Sequence, residues 1–348
     1  MASIENDFRK QYGEHGIYAG ASHFRDYWAR DSLFACLGAL AIGDTAQVRA
    51  TVQHFLDTLR SDGHVPLRIG ARSEVARYFG LPTRTGAVHA QDKGQNDSYD
   101  SNTLLLIVAD EYERATGDRF DRERILQVIA WLDAHDHNAL LLQGPYSDWE
   151  DSISVTGARL YTNVCYARAL DAAARLTRNK TYAARAKKTR AAIQNWWNKD
   201  HFTDGTKRDA SVVMTAGNLL AIVWGVATKQ QSKQILARIA QRETVCPPGG
   251  WFAPSTREVY TPFFLIGLAD YHGAMEWSWL AGLEIWALRV AGMNKEAAQR
   301  TRAFEKLARA YGGVHEVYDS DKPVRRWFYK SETNFAWALG VFLKATRS

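Results

Sequence analysis

The chain has 348 residues, 46% of them apolar, enough for one large core or two modest ones and short of a typical multidomain length. Its formal charge of +6 is spread over many helical faces with no aromatic–basic module or finger spacing, which argues against a nucleic-acid partner. The N-terminal stretch "MASIENDFRK" carries charges where a signal peptide needs an apolar run, and no segment approaches the roughly 18 apolar residues of a membrane span, so a soluble, cytoplasmic protein with no membrane partner is expected.

An N-terminal helix is expected around Phe8, followed by an apolar helix after "YWARDS". Val48, Val52, Phe55 and Leu59 then make the stripe of an amphipathic helix. "SNTLLLIVADEY" is apolar nearly all round, and further along Tyr182, Thr189, Ile193 and Trp196 make a second amphipathic stripe. "GNLLAIVWGVA", "WSWLAGLEIWALRVAG" and "NFAWALGVFL" continue the apolar series, and such helices must be buried on most of their circumference. Convincing alternating strand patterns are few. Cys36, Cys165 and Cys246 are odd in number and far apart, and read as reduced core residues. No HExxH or paired-cysteine spacing occurs, so neither a metal nor another cofactor is expected.

The connections alternate too. Short links near Gly43, Gly117, Asn179, Lys229 and Asn294 join each apolar helix to the amphipathic one after it, while long loops at 61–99, 137–156, 200–208, 243–273 and 312–330 lead into the next apolar helix. Five helical hairpins, plus a split pair made by the first and last helices, predict an all-α fold: an (α/α)6 toroid over residues 1–348 as a single domain, with an inner ring of six helices wrapped by an outer ring. Antiparallel hairpins put the short turns at one end and the long loops at the other. Long structured loops in compact domains usually carry function. These lead into inner-helix N-termini, where free N–H groups favour oxygen-rich ligands.

Acids and tryptophans collect in those loops. "YWARDS" (27–32) supplies Trp28, Arg30 and Asp31; "DKGQNDSYDSN" (92–102) supplies Asp97 and Asp100. "DWEDS" (148–152) supplies Trp149, Glu150 and Asp151. "PPGGWFAPS" and "DYHGAMEWSW" supply Trp251, His272 and Trp277, and "GGVHEVYD" (312–319) supplies Glu316. Asp31 and Asp100 also suit helix caps, Asp148 a turn, and His272 and His315 structural hydrogen bonding. Two carboxyl groups facing one another across an indole-lined pocket have a defined use. One, protonated, gives its proton to a departing glycosidic oxygen; the other, ionised, draws a proton from water. Aromatic faces stack on a sugar, and an Arg–Asp pair fixes its hydroxyls. The pattern asks for glycoside hydrolysis, with a carbohydrate as the partner.

These segments resemble those of the α/α-toroid glycosidase superfamily: glucoamylases, the glucosidase part of glycogen-debranching enzymes, trehalases, processing glucosidases and neutral invertases. Trp28-Ala29-Arg30-Asp31-Ser32 is similar to the Trp-x-Arg-Asp-Ser stretch of glucoamylases, which implies that Arg30 and Asp31 hold the hydroxyls of the sugar under attack. Asp100-Ser101 resembles the Asp-Ser or Asp-Ala that opens the second inner helix of debranching glucosidases and invertases. "ADYHGAMEWSWLAG" is similar to their Tyr-His-x-Gly-x-x-Trp-x-Trp segment, and "HEVYD" resembles the one that supplies the catalytic base, which implies Glu316. For the general acid the debranching pattern implies Asp151, and the glucoamylase and trehalase pattern implies Glu150. "WEDS" followed by "LYTNVCYARAL" is closer to the debranching type. Glu276 stands where these relatives have an apolar residue, and no β-sandwich segment of the kind many of them carry is present, which favours a small substrate. The resemblance implies an inverting exo-glycosidase acting on an α-glucosidic bond of an oligosaccharide or small glucoside. A sugar epimerase and a catalytically inactive carbohydrate-binding toroid are the alternatives.

Overall fold

The computed structural model describes residues 2–22, 24–73, 81–90, 96–205, 211–250, 258–326 and 328–347. Thirteen helices occur among them: α1 (Ala2–Arg9), α2 (Ala29–Ala41), α3 (Thr45–Asp57), α4 (Tyr99–Thr116), α5 (Arg122–Ala134), α6 (Leu160–Thr177), α7 (Lys180–Gln194), α8 (Thr215–Val223), α9 (Lys229–Ile239), α10 (Thr261–Leu265), α11 (Ser278–Val290), α12 (Asn294–Ala310) and α13 (Ala336–Arg347). The two kinds of helix foreseen from periodicity are both present. α2 is buried without a gap from Ala29 to Ala39, whereas α3 buries only Val48, Thr51, Val52, Phe55 and Leu56. A helix with one apolar stripe lies on the outside; one apolar all round needs neighbours on every side.

Those neighbours are the other apolar helices. α2 packs on α4, α4 on α6, α6 on α8, α8 on α11, α11 on α13, and α13 returns to α2. The first and last of the series approach closely because both carry glycine at the crossing. A Cβ on Gly38 would overlap the Gly340 carbonyl, and one on Gly340 would overlap the Ala35 backbone. Four of the hairpins repeat a further device. The fourth residue of the inner helix, Ser32, Asn102, Asn163 or Asn218, bonds the backbone of the loop beneath it, at Ile17, Gly63 and Val65, Leu141 and Phe202 respectively. The loop feeding each inner helix is thereby fixed to that helix's first turn.

Strands are more numerous than the sequence suggested. Fourteen, each of two to four residues, form six small sheets among the described residues. Two residues are too few to show alternation, which is why the pattern was invisible. Glu276 gains a role here. It lies in β10 (Glu276–Trp277), which pairs with β11 (Val317–Asp319), which in turn pairs with β12 (Lys322–Pro323). The turn between β11 and β12 holds Ser320 and Asp321 at φ 52° and 58°, and the Glu276 carboxylate accepts both of their N–H groups at 2.9 Å. All three cysteines are buried and free. No described helix is long and apolar enough to cross a membrane.

Candidate active site

The long loops and the N-termini of the inner helices meet at one end, as the alternation of connections requires, and Arg30 ties three of these elements together. It sits in the first turn of α2, 7% exposed. Its Nε donates to Asp100 Oδ2 at 2.5 Å, its Nη2 to the Asp148 carbonyl at 2.7 Å, and its Nη1 to Asp151 Oδ2 at 3.3 Å. Asp100, fully buried at the start of α4, also accepts from Ser98 Oγ and from the Tyr161 hydroxyl at 3.0 Å. Asp100 therefore orients Arg30 and has no free face toward a ligand. Neither Asp31 nor Asp100 caps its helix. The N-cap positions are Trp28 and Ser98, and neither makes a side-chain capping bond.

Adjacent residues of "DWEDS" diverge. The Glu150 side chain is fully buried and accepts from Arg159 Nη2 at 2.9 Å; Arg159 also pairs with Asp204, which accepts the first amide of α6. Asp151 turns the other way and keeps 37% of its side chain exposed. Desolvation pushes its pKa up, against the pull of the Arg30 guanidinium. His272 Nε2 stands 3.9 Å from Asp151 Oδ1, and His272 Nδ1 shares a 2.6 Å hydrogen bond with Ser152 Oγ. Burial, with Arg30 nearby, drives the histidine pKa well below its ordinary value, which favours the neutral ring. Asp148 closes the turn, accepting the Glu150 amide at 2.8 Å and Gln143 Nε2 at 2.9 Å.

Glu316 enters from the last long loop. It is 2% exposed, and its two oxygens accept the hydroxyls of Tyr271 and Tyr329, each at 2.6 Å. Burial raises its pKa, and the two tyrosine hydrogen bonds oppose the rise. Asp31 lies within electrostatic reach of both other acids. Its pKa is pushed up to about 7, chiefly by desolvation, with Arg30 opposing and both Glu316 and Asp151 adding to the rise. Asp151 and Glu316 are thus brought near one another through the adjacent residues His272 and Tyr271, and Asp31 feels the charge of both.

The other residues singled out from the sequence do not open onto this site in the way expected of substrate contacts, or lie outside the described residues. Trp149 and Trp277 are 2% and 3% exposed, so they are packing beneath the site and not open stacking floors. Trp149 meets His272, Trp277 and Trp279 edge-on, and Trp277 stacks on His272 with ring centroids 5.1 Å apart. Asp97 is taken by Arg60, at 3.0 and 2.7 Å. His315 touches Thr333 and the Tyr311 carbonyl, the structural role open to it. Trp28 is half-buried with Arg68 over its ring. Trp251 lies outside the described residues. Tyr271, Tyr329 and Ser152 are the residues that sequence reasoning missed. Tyr271 stood beside His272 in a quoted motif, whereas nothing marked Tyr329. Among the described residues, no group of three His, Cys, Asp or Glu side chains is arranged to hold a metal.

No family model and no curated protein matches the chain. Solved structures do. A wild-type glycosidase superposes with a TM-score of 0.71 at 17% identity, over 99% of this chain and 94% of its own. A GH63 mannosylglycerate hydrolase from Thermus thermophilus, in complex with Tris and D-glycerate, gives 0.67 at 14% over 99% and 98%. A rhamnosidase from Klebsiella oxytoca with rhamnose bound gives 0.69 at 16%, over 98% of this chain and 62% of the longer partner. At 17% identity or less, superposition over nearly the whole chain establishes that the chain shares the fold of these structures.

Proposed function

We propose that the chain is a glycoside hydrolase: one (α/α)6 catalytic domain spanning 1–348, with its site at the loop end and a cytoplasmic location. The observation that carries this reading is that Asp151, held by Arg30, and Glu316 are reached by the adjacent residues His272 and Tyr271, with Asp31 within electrostatic range of both acids. The glycosidase neighbours and the cycle of inner-helix contacts support it.

Asp151 is the general acid and Glu316 the general base. A protonated Asp151 gives its proton to the glycosidic oxygen as the bond to the anomeric carbon breaks. Glu316 removes a proton from a water whose oxygen attacks that carbon from the opposite face. Desolvation favours the protonated form of Asp151, and its partial exposure leaves it open to a substrate. Glu150 is the weaker candidate because its carboxylate is spent on Arg159 in a fully buried pair. Arg30 and Asp31 fix the hydroxyls of the sugar under attack. His272, itself stacked on the buried Trp277, backs Asp151.

The substrate class is a short α-glucoside, and the outcome is inversion. Carboxyls about 6.5–9.5 Å apart leave room for a water, whereas about 5–5.5 Å suits a covalent intermediate. A panel of maltose, isomaltose, trehalose, sucrose and p-nitrophenyl α-glucoside tests activity and substrate. Proton NMR of the first product is expected to show β-glucose before mutarotation. No hydrolysis across α-glucosides would remove the substrate class, and the α-anomer as first product would remove the mechanism.

A further inference from the structure

Tyr271 and Tyr329 reach Glu316 from separate segments. Tyr271 comes from the loop before α11, is 4% exposed, and has its carbonyl held by Trp277 Nε1 at 2.8 Å. Tyr329 comes from β14 (Tyr329–Lys330), paired with β13 (Arg325–Arg326). The two hydroxyls lie 3.2 Å from each other, so the carboxylate and two phenols close a ring of three contacts, all within hydrogen-bonding distance. A buried phenol needs only one partner to be satisfied. Here both phenols spend their proton on the same acid.

We infer that Tyr271 and Tyr329 are positioning residues for the base: each donates one hydrogen bond to Glu316, together fixing its carboxylate plane and holding it ionised within a buried wall. The inference rests on the reading of Glu316 as the general base. A carboxylate oxygen accepts more than one hydrogen bond, so each retains capacity for the attacking water. Two neutral phenols bring two protons to three contacts. While Glu316 is ionised, both point at the carboxylate and the tyrosine–tyrosine contact holds no hydrogen. When the water's O–H bond breaks, its proton moves to the carboxylate lone pair that faces the water, and the two tyrosine hydrogen bonds lose their charge assistance. The pair therefore favours the ionised base.

The charged and titratable groups around Glu316 make this support necessary. Asp31 in α2 and Glu332, just before α13, are acidic and within electrostatic reach of it, and burial disfavours a further charge. Against them stand the two hydroxyls. Removing one hydrogen bond to the ionised form shifts Glu316 toward protonation, and a protonated base is inactive. The acid limb of the pH profile therefore moves to higher pH.

The test uses the full chain and p-nitrophenyl α-glucoside, whose leaving group needs little help from an acid and so isolates the base. Glu316→Gln comes first: turnover within a few-fold of the parent would sink the base assignment itself, whatever the tyrosines do. With Glu316→Gln inactive, Tyr271→Phe and Tyr329→Phe are each expected to move the acid limb of kcat/KM up by about one pH unit, a tenfold change in the ionisation constant, with turnover recovering at high pH. A limb that stays in place, or a change confined to KM, overturns the inference. Should a phenylalanine variant fail to fold, 3-fluorotyrosine at 329 keeps the shape and strengthens the donor. It is expected to move the limb to lower pH, and an unmoved limb overturns the inference equally.

Discussion

Asp110 and Glu284 lie deep along inner helices, and each is met by two arginines. Asp110 in α4 accepts from Arg168 at 3.0 Å and Arg175 at 2.7 and 2.5 Å. Glu284 in α11 takes Arg242 at 3.1 and 2.5 Å, with Arg300 at 3.6 Å. At the loop end the balance is reversed. Asp31 and Asp151 share the reach of the single Arg30 guanidinium, Glu316 has only two neutral hydroxyls, and all three have raised pKa values. The same residue type is neutralised where it holds helices together and left under-compensated where the loops converge. Perturbation of that kind is what acid–base chemistry at neutral pH requires.

The comparison breaks most decisively at the acids themselves. Asp151→Asn and Glu316→Gln are each expected to lower turnover by about two orders of magnitude or more, the contribution of a general acid or base, with melting little changed. Glu150→Gln is expected to retain turnover. An active Asp151→Asn with an inactive Glu150→Gln would exchange their roles.

Glu284→Gln tests the other side. Leaving the Arg242 side chain buried and Arg300 half-buried against a neutral amide is expected to lower stability by about 3–5 kcal/mol, the usual cost of removing one partner from a buried pair. Denaturant unfolding measures it, and the folded fraction is expected to turn over normally. A stable Glu284→Gln would dissolve the distinction between paired and site acids.

Asp31→Asn is expected to act with the opposite sign on stability. A carboxyl whose pKa is raised on folding, from an ordinary value near 4 to about 7, costs stability that grows as pH rises through that window and is absent below it. The asparagine variant is therefore expected to gain about 1–3 kcal/mol over the parent at pH 8 and little below about pH 4, while its turnover falls because hydroxyl contacts that strengthen toward the transition state are lost. Equal stability of the two proteins at pH 8 would contradict the raised pKa. The smallest effect is expected at Glu276→Gln. One of the two turn amides loses a charged acceptor, costing about 1 kcal/mol with turnover unchanged, and a large kinetic effect would give Glu276 a place in the site.

Periodicity and loop length were enough to read the helices and their alternation from the sequence, because burial on one stripe or all round leaves its mark on every turn of a helix. The acid-rich segments were legible for the same reason, since hairpin geometry gathers all long loops at one end. The two-residue strands were not, being shorter than any repeat they could display. Nor could the sequence divide the work within "DWEDS". Glu150 and Asp151 are neighbours in an irregular loop, where no periodicity sets side-chain direction; only the packing of Arg159 on one side and Arg30 on the other separates them. Asp31 and Asp100 looked like caps because each lies in the first turn of a helix, and the tertiary arrangement brought one within electrostatic reach of Asp151 and Glu316 and the other onto Arg30. Tyr271 and Tyr329 meet on Glu316 from segments 58 residues apart. Local sequence determines which elements form and which faces they bury; which side chains then share a desolvated space depends on long-range packing, and that contact is what sets their proton affinities.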